Sequence, residues 1–509
     1  MKRRDFGIFL VLVLLAVATR FILLGLRPIH HDEGMLSYFA WQLAEGRGYS
    51  YTPQIHGPVL FYLQAVFFKF LGTGDSVTRV STALFGLVLA VLPLAFYKKV
   101  GKKRAIVISF LVISSPLLTY FSRFLVHTGL VVVTNFIAVL SLWLLVKNRR
   151  SVYIYIFSLA LALAFGISET SYIFLASIAL FVPFYFLINR KNFQSHSRRV
   201  KLFFMENYLD FISAALVFVL SWILIYSVGL TNSKSLLLSL PNPLNTQGGL
   251  GFWLAQHGNK LGGQPWFYYL MLFVIYEPIV LLGGFLAAIE SARRRGGVLQ
   301  VFVVFLSFAS LAGYSIAGEK FPWLILPTLM LFVLAAGLYF GRNFTRSKLA
   351  VQITLVILGL FTLFNNFRLN FINPADTREL ATYVQTPNSF REIVDRVRSG
   401  CEGRGEDCVI IDSEISWPLS WDFRNISRLD FLTSKSGISD NTRYVFANED
   451  KAEKLNDIRF TQKKILLRDW WVPSVCRKTS CTDKYLKYFL NREIWGLKGG
   501  YEIILLERK

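Results

Sequence analysis

The feature that most constrains this chain is a succession of apolar stretches close to the ~20 residues a helix needs to cross a bilayer. They lie near 6–26, 76–97, 104–120, 125–146, 152–167, 170–188, 208–228, 266–288, 298–316, 321–341 and 348–367. Eleven crossings are therefore expected. The stretch 57–72 opens with Gly57-Pro58 and contains Lys69, so it is expected to lie at the interface or dip partway in. Only Ser168-Glu169 splits 152–167 from 170–188, and the two could instead form one long broken helix. The first stretch has a basic start like a signal peptide. It is long and lacks a small-x-small cleavage site, so it is expected to remain as the first helix.

Charge tests this layout, because basic residues collect in short cytoplasmic loops. With the N-terminus inside, the inside segments are Lys2–Arg4, 98–104, 147–150, 189–207, 293–297 and 342–348, and they hold 22 Lys or Arg. The outside loops before residue 373 hold about 7, with no cluster. The net charge of +23 is thus explained by topology, since the part after 373 has 23 basic and 21 acidic residues. Such a distribution favours contact with anionic membrane lipids. It does not suit nucleic-acid binding, which needs a basic face on one module.

Charged residues make up 17% of the whole chain, below the roughly 25% of soluble domains, but they become frequent past Asn373-Pro374. Strand-sized apolar segments follow at Val409–Ile411, Tyr444–Ala447, Lys464–Leu467 and Glu502–Leu506, with helical patterning at 389–399 and 483–492. The expected fold is a polytopic α-helical membrane domain over 1–373, with its first outside loop at 27–75, and an extracytoplasmic α/β domain over 374–509. All four cysteines fall in the second domain. An even number there predicts two disulfides, most simply Cys401–Cys408 and Cys476–Cys481. No C-x-x-C pair suggests zinc.

Only eleven acids occur in residues 1–373, and acids at membrane depth tend to mark function. The first outside loop opens Arg27-Pro-Ile-His-His-Asp-Glu-Gly34. Adjacent carboxylates can divide proton transfer and substrate or metal binding, and His31, Asp32 and Glu33 could bind a divalent ion. Equally, Asp32 could simply cap the helix that follows. His56, before Gly57-Pro58, is either a solvated loop residue or a further site residue. Arg123 could grip a phosphate or snorkel at the interface. Glu169 sits between two apolar spans, where a cavity role competes with simple hydration. Lys320 is a candidate phosphate ligand with Glu319 as its orienting partner, or the two form a weak surface pair. Asp32, Glu33, His56, Arg123, Glu169, Glu319 and Lys320 all fall on the same side of the assigned topology. The Gly-rich loop 231–265 follows no strand, so it is a candidate lid or acceptor loop and not a nucleotide-binding turn.

Asp32-Glu33 in the first loop, Tyr120-Phe-Ser-Arg123, His56-Gly-Pro58, Gly318-Glu-Lys-Phe-Pro-Trp323 and Trp417-Pro-Leu-Ser-Trp421 together resemble motifs of the GT-C glycosyltransferases. The branch they resemble is that of protein O-mannosyltransferases and aminoarabinose transferases. They are most similar to an archaeal set described as dolichyl-phosphate-mannose mannosyltransferase-like, or flippase-associated. The resemblance implies a polyprenyl- or dolichyl-phosphate sugar donor, a glycan or protein acceptor outside the cell, and inversion at the anomeric carbon. It implies that Asp32 is general base, that Glu33 assists or helps hold a divalent ion, and that Arg123 and Lys320 hold the donor phosphate. His31, His56, Glu169 and Glu319 would line the substrate cavity. Val126 stands where the family's second Arg is expected, beside His127, which shifts weight to Lys320.

Two other classes compete. An oligosaccharyltransferase would carry Asp-x-Asp in the first loop, but Gly34 follows two after Asp32; it would also carry Trp-Trp-Asp, but Asp469 precedes Trp470-Trp471. The other is a non-catalytic lipid-carrier flippase or assembly partner; a flippase would favour charged residues deep in spans, whereas most acids here sit at span ends, with mid-span Glu277 the main exception.

Overall fold

The computed structural model describes residues 3–259, 264–293, 295–430, 438–455, 459–473 and 482–509. Each expected apolar stretch forms helix. Among the described residues, six helices are long and apolar enough to cross a bilayer, and eight if two bent pairs are each one span. The remaining three stretches are Arg3–Phe21, which carries four charged residues, and the shorter helices Val80–Ala95 and Val152–Ile167. Ser171–Ile188 starts as a separate helix after an extended Ser168, and Val59–Leu71 is a single apolar helix. The protein is a multi-pass membrane protein with a small mixed-sheet domain.

Contacts sort the chain into two units. The first contains 1–22, 48–63 and 80–370. Its outer helices expose apolar rows to lipid, as with Leu209, Ile212, Leu216, Leu220 and Leu224 on Tyr208–Tyr226, spaced by helical turns. Its two bent spans meet at their breaks. Lys102–Ser114 turns by 66° into Pro116–Ser122, and Tyr268–Tyr276 turns by 111° into Pro278–Ala292. Prolines open both second halves and leave backbone groups unpaired in an apolar setting. The Glu277 carboxylate answers this by accepting from Ser115 Oγ at 2.6 Å and from the Leu117 N–H at 3.1 Å. Asn366 Nδ2 donates to the carbonyls of Ile113 and Ser115, and Asn370 Nδ2 to that of Pro116.

The second unit contains 23–47, 64–79 and 371–509, so the flanks of the first loop group with the C-terminal part. Its core is a five-stranded sheet of β1 (Val409–Asp412), β2 (Ser427–Asp430), β3 (Tyr444–Ala447), β4 (Phe460–Trp471) and β5 (Lys498–Arg508). The order is β2-β1-β3-β5-β4. β1 is parallel to β2 and β3, while β5 runs antiparallel to β3 and β4. Helix Ser389–Gly400 buries Phe390, Val394 and Val397 in this core with β1 and β3 residues.

Cys401 and Cys408 are disulfide-bonded across seven residues, the simplest pairing expected. Cys476 and Cys481 lie outside the described residues. Closing so short a loop limits the unfolded chain by about 2 kcal/mol. Cys401→Ser with Cys408→Ser is therefore expected to lower the unfolding midpoint of this unit by several degrees without preventing assembly, checked by tryptophan fluorescence on heating.

Candidate active site

Helix His31–Ala44 carries the acidic pair at its N-terminus. His30 is the N-cap: its Nδ1 accepts from the Asp32 N–H at 3.1 Å, and Glu33 Oε2 accepts from the His30 N–H at 3.1 Å. This reciprocal pairing satisfies two of the helix's orphan donors. The cap is thus a histidine, and the Asp32 side chain is left for other contacts.

The two acids sit in contrasting surroundings. Glu33 is fully buried, and Arg79 Nε and Nη2 grip its two oxygens at 2.8 Å each. Arg27 Nη2 approaches it at 3.1 Å. Arg79 also donates to the carbonyls of Leu24, Arg27 and Pro28, so the trio ties the loop's entry to its exit. Asp32 is 29% exposed, with His31 Nε2 3.3 Å and His30 Nδ1 3.8 Å from its oxygens. Burial is the largest influence on both histidines and pulls them below the usual imidazole range, against the pull of Asp32 on His31. They are neutral near pH 7. Arg468, from β4, is near enough to act on Asp32 and His31 electrostatically.

The helix is seated on Trp417-Pro-Leu-Ser-Trp421. A Cβ on Gly34 would come within 2.9 Å of Pro418, which makes glycine necessary at this close approach. Tyr38 and Phe39 pack on the Trp417 ring. Arg468 donates to the Trp417 carbonyl.

His30, His31 and Asp32 bring ligand atoms within 4.8 Å of one another. This set does not fit a resident metal. His30 uses Nδ1 to cap the helix and Nε2 on the Tyr383 carbonyl at 3.0 Å, so it has no lone pair left. Glu33 has both oxygens on guanidinium groups. Two donors remain, His31 and Asp32, in a neighbourhood made positive by Arg27 and Arg468.

In the first unit a second polar group forms around Glu169. Tyr51 Oη donates to Glu169 Oε1 at 2.7 Å, and His56 Nδ1 lies 2.7 Å from Oε2. Burial, then Glu169, push the Tyr51 phenol far above its ordinary range, so it stays a donor. His56 stacks on Trp253 at 4.7 Å and meets His127 edge-on at 4.5 Å. The Gly57-Pro58 turn aims it there, because the Gly57 N–H donates to the Ile167 carbonyl where any Cβ would clash with Gly166. Helix Gly249–Asn259, which carries Trp253, falls in the Gly-rich loop.

Arg123 is 7% exposed, and its Nη1 donates to the carbonyls of Thr19, Arg20 and Ile22. That is where the last carbonyls of helix Arg3–Phe21 need cations. Lys320 is 6% exposed and donates to the Ala317 carbonyl beside the end of Val298–Ile316. Glu319 is half-buried and lies near the Tyr269 ring electrostatically.

Sequence reasoning did not single out Arg79, Arg468, Tyr51 or Trp253. Arg79 had a usable signal: an arginine entering an apolar stretch must find one of the few acids. Arg468 had none, since nothing local to β4 marks its neighbour.

Residues 55–225 match the family model for dolichyl-phosphate-mannose-protein mannosyltransferases. No curated protein sequence matches significantly. Among solved structures, the chain is similar to ArnT from Cupriavidus metallidurans bound to undecaprenyl phosphate, with a TM-score of 0.60 and 12% identity over 98% of each chain. It is similar also to apo ArnT from that organism, with a TM-score of 0.58 and 12% identity over 98% of each. The chain thus shares its fold with the ArnT structures, and a third of it matches the mannosyltransferase family model.

Proposed function

We propose that this protein transfers a sugar from a polyprenyl-phosphate donor to an extracytoplasmic acceptor, with the N-terminus in the cytoplasm and residues 374–509 outside. The observation that carries the reading is the division of the acidic pair. Asp32 is accessible and flanked by neutral histidines, so it can take a proton, whereas Glu33 is committed to two arginines. Support for the donor comes from the fold shared with a structure that binds undecaprenyl phosphate and from the mannosyltransferase family match.

In the proposed reaction Asp32 accepts the proton of an acceptor hydroxyl as that oxygen attacks the anomeric carbon. The bond from that carbon to the phosphate oxygen breaks, polyprenyl phosphate leaves, and a single displacement inverts the configuration. Glu33 is assigned to holding Asp32's helix and not to proton transfer. Lys320 is assigned to the leaving phosphate, and Arg123 to securing the first helix. Tyr51, His56, Glu169 and Trp253 are assigned to sugar or acceptor contacts in their own unit. A transport reading would rest on Glu277 as a mid-span acid, but that carboxylate is engaged at the junction of the two helix breaks.

Deleting the gene should remove one sugar from an external glycan or glycoconjugate, read by mass spectrometry. Purified protein with a polyprenyl-phosphate sugar should restore it. A deletion strain with an unchanged glycan profile would overturn the reading. Lys320→Gln is expected to lower kcat/KM for the donor about 10–100-fold while leaving the dependence on acceptor concentration unchanged, measured by donor titration.

A further inference from the structure

The second unit contains a cavity of about 400 Å³ that the transfer reading does not use. Its walls are Thr73–Asp75 of the first loop, the end of helix Ser389–Gly400, the loop closed by Cys401–Cys408, and the turn 422–426. Its size falls in the usual range of small-molecule sites, ~300–1,000 Å³.

This cavity has a built lining. Arg424 spans it from within: Nη2 donates to the Thr73 carbonyl at 3.0 Å and to Thr73 Oγ1 at 2.9 Å, while its guanidinium lies 4.0 Å above the Trp421 ring. Arg398 is fixed by two hydrogen bonds to the Asp422 carbonyl. The Asp422 side chain is 91% buried yet lines the cavity, and among the described residues its carboxyl accepts no hydrogen bond. Its nearest cation, Arg398 Nη2, is 3.8 Å away. That contact is an ion pair too long to be a hydrogen bond, so the carboxyl can still bond a ligand group in the cavity.

Charge indicates what that partner is. Burial, then Asp75, raise the Asp422 carboxyl to about 8, against the opposing Arg398, Arg424 and Arg391. It is therefore mostly protonated near pH 7 and can both donate and accept. Asp75 and Glu402 balance Arg398 and Arg424. A cavity without net charge that presents planar, multi-dentate donors and acceptors suits neither a phosphate nor a metal ion. It suits several hydroxyl groups on a neutral ring.

We propose that this cavity binds a neutral sugar unit of a glycan, with Asp422 and the two arginines holding its hydroxyls. The site does not depend on the transfer reading, because a chain that transfers nothing would still bind there.

To test it, the full-length protein carrying Asp32→Asn is purified in a detergent without a sugar headgroup. It is then titrated with the methyl glycosides of mannose, glucose and galactose by saturation-transfer difference NMR, with inorganic phosphate as a parallel arm. At least one glycoside is expected to give a saturable signal, weakened about ten-fold by Arg424→Gln, the equivalent of one lost charge-assisted hydrogen bond. Arg424 also anchors Thr73, so a second variant separates folding from binding. Asn425 is exposed at the cavity wall, and Asn425→Trp should abolish the signal without disturbing the core. No glycoside signal, a signal that survives Asn425→Trp, or displacement of the glycoside by phosphate would overturn the proposal.

Discussion

Asp32→Asn is expected to abolish measurable transfer, a fall of about 10²–10⁴-fold for loss of a general base, while the protein still accumulates in the membrane. The separation of the two effects follows from the local structure. The Asp32 N–H, not its side chain, bonds the His30 cap, and its carboxylate is partly open to solvent. Asparagine keeps the shape and gives up only the proton acceptor. Complementation of the deletion strain measures this directly. A variant that restores the missing sugar at wild-type level would remove Asp32 from the role of base.

The neighbouring substitution should fail for a different reason. Glu33→Ala leaves Arg27 and Arg79 buried without a counter-charge, at a cost of roughly 3–5 kcal/mol, a large part of the stability of an ordinary domain. Loss of the protein from the membrane is expected, with little folded material left to assay. Arg79→Met should be comparably damaging, because it strands Glu33 and frees three loop carbonyls. The double variant Glu33→Leu with Arg79→Met should recover part of the loss, since it removes both charges at once. Size-exclusion profiles of detergent extracts distinguish these outcomes. A Glu33→Ala protein that folds normally but transfers nothing would return Glu33 to the chemistry.

The contrast shows what local sequence can disclose. Helices were legible because lipid demands long apolar runs, β1 and β3 because each is a short, continuously apolar run, buried throughout, and the helix over 389–399 because its apolar residues recur at helical spacing. The edge strand β2 was not, since Ser427-Arg-Leu-Asp430 has no apolar alternation and gains its strand from pairing with β1. Asp32-Glu33 was visible as a pair, but the division of labour within it was not. That division is set by Arg79, 46 residues on, and by Arg468 on β4. The meeting of Glu169 with His56 spans 113 residues and depends on a glycine that admits close backbone approach. In each case the deciding partner comes from a distant part of the chain.

The paired helix breaks bear on how the protein is made. Ser115 and Leu117 leave the ribosome some 160 residues before Glu277, and Asn366 follows later still. Until those arrive, the kink at Ser115-Pro116 presents open backbone groups that hydrocarbon cannot satisfy. The early span must therefore wait in a hydrated setting, held by the insertion machinery or close to the membrane surface. Chains ending before residue 277 should be retained there and degraded, whereas chains reaching past 370 can lock both kinks together. Assembly of this protein is thus governed by its late helices, whichever order they enter the bilayer.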